Sequence, residues 1–174
     1  MSLTFFDPSG GVGTSFPSSP NDKDEFTYVA DGTNGVYWRF KYRSATTKWI
    51  FIGGAPLFSQ VLTSEAVDSG TYTALATPGP SITLPFAGDY DVSIGVHVSP
   101  AIYGTGYMSY DIGGTGAVDA DNVQVYGNAY AYPSLARTQR KTGLTAVALT
   151  AKYKTAAGSC SFAKRWMAVT PVQK

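Results

Sequence analysis

The chain has 174 residues, 44% hydrophobic and 14% charged, which excludes global disorder and provides a core for one domain with a small appended module. Nineteen glycines and twelve tyrosines favour pleated, turn-rich structure, and no segment carries helical periodicity over ten or more residues. The net charge of +1 is unevenly placed, because all twelve acids lie at or before Asp121 while residues 134–174 hold eight cations and no acid.

Twelve acids against five cations leave the first three-quarters near −7. That asymmetry suits either an anionic partner or pairing of one part of the chain with the other, within or between subunits. No compact basic run is interleaved with aromatics, so pairing is the preferred reading and no specific nucleic-acid partner is expected. Cys160 stands alone, which excludes an intramolecular disulfide. The first residues lack a basic segment followed by an apolar one, and no run of about 18 apolar residues occurs. The expectation is a protein soluble when made, without membrane insertion.

Residues 1–24 are rich in Gly, Ser and Pro and read as an extended N-terminal arm. Phe5, Phe6 and Phe16 suit either docking into a partner's grooves or packing on the arm's own domain. Residues 25–56 read as a small three-stranded aromatic β-meander. Val36, Trp38, Phe40 and Tyr42 alternate with Tyr37, Arg39, Lys41 and Arg43, which predicts one apolar face and one basic face. Gly53-Gly54-Ala55-Pro56 then breaks the pattern.

From residue 57 to 174, short β segments recur at 58–63, 71–76, 81–86, 90–98, 107–112, 123–130, 134–142, 147–153 and 162–169. Tyr90, Val92, Ile94, Val96 and Val98 fall on one face of the clearest strand, with Asp91, Ser93, Gly95 and His97 on the other. Eight or nine strands with antiparallel turn signals predict an all-β fold, an antiparallel, jelly-roll-like β-sandwich preceded by the meander and the arm.

Candidate chemistry is sparse. The lone His97 lies on a polar strand face and Cys160 beside a hairpin end, so neither forms an oriented nucleophilic pair. No His or Cys cluster suits a transition metal, and no metal or cofactor is expected. Asp119-Ala-Asp121-Asn122 places oxygen ligands close together but lacks the closing Glu of a calcium loop, and reads first as a turn. Glu65 with Asp68, and Asp89 with Asp91, read as solvated carboxylates at turns and strand ends rather than a glycoside-cleaving pair. Gly113-Gly114-Thr115-Gly116 is a turn, since no helix follows to face a phosphate. The expectation is a protein without enzymatic activity.

The most distinctive cluster is aromatic. Tyr103, Tyr107, Tyr110, Tyr126, Tyr130 and Tyr132 lie in Gly-, Ser- and Asn-rich sequence. Tyrosine offers rigid contact area with a polar tip, which suits cross-strand packing, a subunit interface or stacking on a sugar ring.

Three strings carry a resemblance: Tyr28-Val29-Ala30-Asp31, the run Gly35 to Arg43, and Lys48-Trp49-Ile50-Phe51-Ile52-Gly53-Gly54-Ala55-Pro56-Leu57. These resemble small virion proteins of tailed phages, of the minor tail, fibre-like or head-decorating type. Phe162-Ala163-Lys164-Arg165-Trp166 is similar to the closing strand of their domain, and Gly88-Asp89-Tyr90-Asp91-Val92 to a strand opening of jelly-roll adhesion heads. The resemblance spans roughly residues 26–174 and brings no catalytic residues. It implies a structural or attachment role in the virion, after assembly in the host cytoplasm. The implied partners are other phage virion proteins of capsid or tail, further copies of the chain with a trimer favoured, and a host-surface glycan in an adhesin reading.

Overall fold

A computed structural model describes residues 11–100, 104–127 and 133–174. In chain order the strands are β1 (Val12–Gly13), β2 (Glu25–Asp31), β3 (Val36–Arg43), β4 (Lys48–Gly54), β5 (Leu57–Val61), β6 (Glu65–Val67) and β7 (Ser81–Thr83). Then follow β8 (Gly88–Pro100), β9 (Gly104–Ile112), β10 (Val123–Gly127), β11 (Ser134–Leu144), β12 (Ala148–Thr155) and β13 (Cys160–Gln173).

Two sheets form the sandwich. The larger runs β1-β2-β3-β4-β13-β8-β11, with β5 and β6 also paired to β13, and the smaller runs β10-β9-β12-β7. Strand β13 organises the larger sheet. One edge pairs with β8, and the other meets β6, β5 and β4 in succession along its length. The chain is thus an all-β antiparallel sandwich preceded by the meander, and among the described residues the pairing of β1 with β2 is the one parallel contact.

The core follows from the period-two pattern. Val92, Ile94, Val96 and Val98 of β8 face Met108 and Tyr110 of β9 and Leu149, Ala151 and Tyr153 of β12, all nearly inaccessible to solvent. Burying an aliphatic side chain of this size contributes about 2 kcal/mol each. The meander is continuous with this core through aromatic rings. Phe86 lies 5.0 Å from Tyr28, 5.8 Å from Phe40, 5.9 Å from Trp38 and 5.5 Å from Tyr90, centroid to centroid. Reciprocal backbone hydrogen bonds between Trp49 and Lys174 tie β4 to the end of β13.

Segment 71–76 departs from the expected strand. It makes a single bridge, Thr73 to Tyr153. Pro78 and Pro80 follow it and lack the N–H groups needed to extend a ladder. The predicted strand at 81–86 stops at Thr83, and Leu84 and Phe86 turn into the core.

The charge asymmetry resolves in part into contacts across the fold. Arg140–Asp91, Lys141–Asp121, Lys154–Asp119 and Arg165–Glu65 each join a cation of the last quarter to an earlier acid.

Candidate functional site on the outer sheet faces

The tyrosines named from sequence separate by strand phase. Tyr110 points into the core, whereas Tyr107 and Tyr126 point outward from the smaller sheet, Tyr126 with 67% of its surface exposed. Tyr103, Tyr130 and Tyr132 lie outside the described residues, as do Phe5 and Phe6. Phe16 packs on its own chain, with Phe26, Tyr28, Phe40, Trp49 and Phe86 at centroid distances of 5.1–5.6 Å. Arg39, Lys41 and Arg43 are exposed on one face of β3, with the Glu25 carboxylate 3.7 Å from Arg39 and 3.5 Å from Lys41.

On the smaller sheet, the Lys154 ammonium sits 4.7 Å from the Tyr72 ring centroid and 4.9 Å from that of Tyr107. It also pairs with Asp119 at 2.6 Å, and the Tyr72 hydroxyl donates to the same carboxylate at 2.8 Å. Hydrogen bonds from Lys154 and Tyr72 hold the Asp119 carboxyl below its ordinary range. Burial raises the Tyr72 phenol well above its own, and the neighbouring Asp119 charge adds to the effect. Ring faces at Tyr72 and Tyr107 are therefore engaged by the protein's own lysine. The Asp119–Asp121 segment is a short 3-10 turn whose acids pair with Lys154 and Lys141.

The larger sheet carries a different aromatic surface, which reading the sequence did not single out. Strict alternation from Phe162, which is buried, would point Trp166 inward. A bulge in β13 between Ala163 and Trp166 inserts one extra residue opposite His97 to Gly95, and Lys164 there adopts a left-handed φ of 49°. The phase flips: Arg165 turns into the core and Trp166 turns out. Bulges of this kind re-aim side chains, and a non-glycine residue at positive φ persists only where the surrounding structure holds it there.

The indole of Trp166 lies against Gly95 of β8. A Cβ at position 95 would come within 2.3 Å of the ring, so only glycine provides that floor. Phe58 of β5 runs nearly parallel to Trp166, 26° between planes and 6.3 Å between centroids, which makes an offset strip of two rings. Phe58 is 56% exposed. Gln60 is the cross-strand neighbour of Trp166, and His97 hydrogen-bonds Ser134 through Nδ1 at 2.9 Å beside the ring.

Two clefts flank this strip. One, of about 300 Å³, is lined by His97, Ser134, Leu135, Lys164 and Trp166. The other, of about 430 Å³, is lined by Asp31, Asn34, Phe58, Ser81 and Thr83. On the core side of β13 the buried Arg165 guanidinium donates to the carbonyls of Thr63 and Thr77 and to Glu65, and so holds the 63–77 segment against β13. Apolar rings flush with a sheet and rimmed by amide, imidazole and hydroxyl groups suit a ligand with one apolar face and a polar periphery.

Three of the four carboxylates considered for glycoside cleavage have structural contacts. Glu65 accepts from Thr77 and Arg165, Asp91 pairs bidentately with Arg140, and Asp89 accepts from Gly143 and Gln173. Among the described residues no three His, Cys, Asp or Glu side chains come together to hold a metal ion.

No protein-family model matches the chain, and no curated protein matches it. Several solved structures are similar in architecture. One is a carbohydrate-binding module from Cellvibrio mixtus lichenase 5A in complex with cellotriose, at TM-score 0.40 and 15% identity over 68% of this chain and 98% of that one. Another is Eiger TNF from S. frugiperda, at TM-score 0.44 and 10% identity over 68% and 93%. A third is infectious bursal disease virus, Gx strain, at TM-score 0.39 and 12% identity over 71% of this chain and 34% of that chain. With TM-scores this low none of them bears on what the chain binds; the sandwich stands on the strand pairing above.

Proposed function

We propose that this chain is a non-catalytic adhesion module that binds glycan on the outer face of its larger sheet, with Trp166 as the anchoring ring. One observation carries this reading: the bulge at Lys164 turns Trp166 outward onto a floor that Gly95 alone leaves open. A sugar ring has an apolar C–H face and a rim of hydroxyls, so it stacks on an indole while its rim bonds to groups such as Gln60, His97 and Ser134.

The test is a glycan array followed by titration calorimetry with the wild-type chain and Trp166→Ala. Saturable binding by the wild type, lost in the variant with its circular dichroism unchanged, supports the reading. Absence of binding across the array, or equal binding by Trp166→Ala, overturns it.

A second reading, a structural component of a tailed-phage particle, is favoured by strand β11. This long edge strand is exposed over most of its length, and among the described residues no strand pairs with its outer side. Such an edge suits pairing with a neighbouring subunit, as in a homotrimer or a contact with a capsid or tail protein. Both readings hold together if the module is displayed on the virion. Gold-labelled antibody on intact particles tests the second: label on head or tail supports it, and bare particles overturn it.

A further inference from the structure

We infer that the Trp166–Phe58 strip takes consecutive residues from the interior of a flat, β-1,4-linked glycan chain rather than a single terminal sugar. The inference rests on the glycan-binding reading above and narrows it to a ligand class.

Three observations lead there. First, the two ring centroids lie 6.3 Å apart, on the scale of one sugar residue along a chain, so each ring can stack on a different residue. Secondly, their planes differ by only 26°. Equatorial β-1,4 linkages keep successive pyranose rings in one ribbon, whereas α-1,4 linkages turn each ring relative to the last. Nearly parallel ring planes therefore match the ribbon and mismatch the helix. Thirdly, the strip lies between two clefts, Trp166 lining one and Phe58 the other. A chain stacked on both rings runs on into the polar groups of each cleft, with Lys164 and His97 at one end and Asp31, Asn34, Ser81 and Thr83 at the other.

The two aromatics then have separable roles. Trp166 supports one sugar residue wherever a chain is bound. Phe58 adds the second, so its contribution exists only for oligomers. Phe58 is exposed, and its removal leaves the core intact.

The experiment is calorimetric titration of the wild-type chain and Phe58→Ala with two β-1,4 series, of glucose and of N-acetylglucosamine, from monosaccharide to hexasaccharide. The α-1,4 glucose series serves as comparison. The expected result is an affinity that rises at least tenfold between monosaccharide and tetrasaccharide in one β-1,4 series. Phe58→Ala should abolish most of that rise, and the α-1,4 series should show none. Affinity independent of length, an equal rise in the α-1,4 series, or an unchanged rise in Phe58→Ala would each overturn the inference. Binding to some other glycan on the array but to neither β-1,4 series would overturn it and leave the glycan reading standing, whereas no binding to any glycan would overturn both.

Discussion

Trp166 and Gly95 are cross-strand partners whose contact sets the shape of the larger sheet's outer face, because the indole occupies the space where any side chain at 95 would begin. Gly95→Ala should therefore act on the platform itself. The added methyl would meet the ring at 2.3 Å and force it away from the sheet. Overpacking of this kind costs about 1–3 kcal/mol. Urea unfolding should register that loss, tryptophan fluorescence should shift to the red, and glycan affinity should fall at least tenfold. Gly53→Ala, on a strand position with open space around it, is the matched control and should leave all three measurements unchanged.

Phe16 tests what the N-terminal segment does. Its ring contacts five aromatics of its own chain and is covered by the Lys174 ammonium at 5.1 Å. Phe16→Ala should cost roughly 3 kcal/mol, in the range for removing a packed phenylalanine. The loss is measured by urea unfolding, with near-ultraviolet circular dichroism reporting the loosened aromatic cluster. A cost below about 0.5 kcal/mol, the size of an ordinary surface change, would mean that the ring is not part of the core.

The sandwich was legible because its signals are local and redundant. Tyr90 to Val98 alternates without interruption, and the alternation on β3 places Trp38 and Phe40 inside and Arg39, Lys41 and Arg43 outside. The platform was not legible in the same way. Its determinant is a phase break: alternation forward from Phe162 and backward from Val169 and Met167 assigns Trp166 to opposite faces. That conflict is present in the sequence and marks a bulge, but only the strand register identifies Gly95 as the residue beneath the ring. Tyr72 was missed for a related reason. It lies on a segment without regular strand structure and meets Tyr107 and Lys154 only through tertiary packing.

The described tyrosines of the 103–132 region should separate sharply in stability. Tyr126 stands exposed at the edge of the smaller sheet, so Tyr126→Ala should change stability by no more than about 0.5 kcal/mol. Tyr110 fills core volume, and Tyr110→Ala should cost about 3–5 kcal/mol. Its hydroxyl has no hydrogen-bond partner among the described residues, so Tyr110→Phe should be neutral or mildly stabilising, because a buried polar atom without a partner is removed. Thermal denaturation of the three variants checks the order. A Tyr126→Ala variant of normal stability but with weakened glycan binding would bring the smaller sheet into the site.

Acid should destabilise the fold through the carboxylates that brace it. Hydrogen bonds from Thr77, with the Arg165 charge in support, hold the Glu65 carboxyl below its ordinary value of 4.5. Lys154 and Tyr72 hold Asp119 below its ordinary 3.8. A carboxyl whose folded pKa is depressed contributes stability that is complete above the unfolded value and disappears as pH falls through the folded one. The melting temperature should therefore be nearly flat between neutral pH and about pH 5 and decline steeply below, where these groups protonate. Glu65→Gln removes one of them, so the variant should melt lower at neutral pH and lose less on acidification. It also leaves the buried Arg165 guanidinium beside a neutral amide in place of its carboxylate partner, with only the Thr63 and Thr77 carbonyls still accepting from it. Melting curves of wild type and variant across pH 3–7 decide the matter: converging curves at low pH support the bracing role of Glu65, and parallel curves throughout would show that its charge contributes nothing.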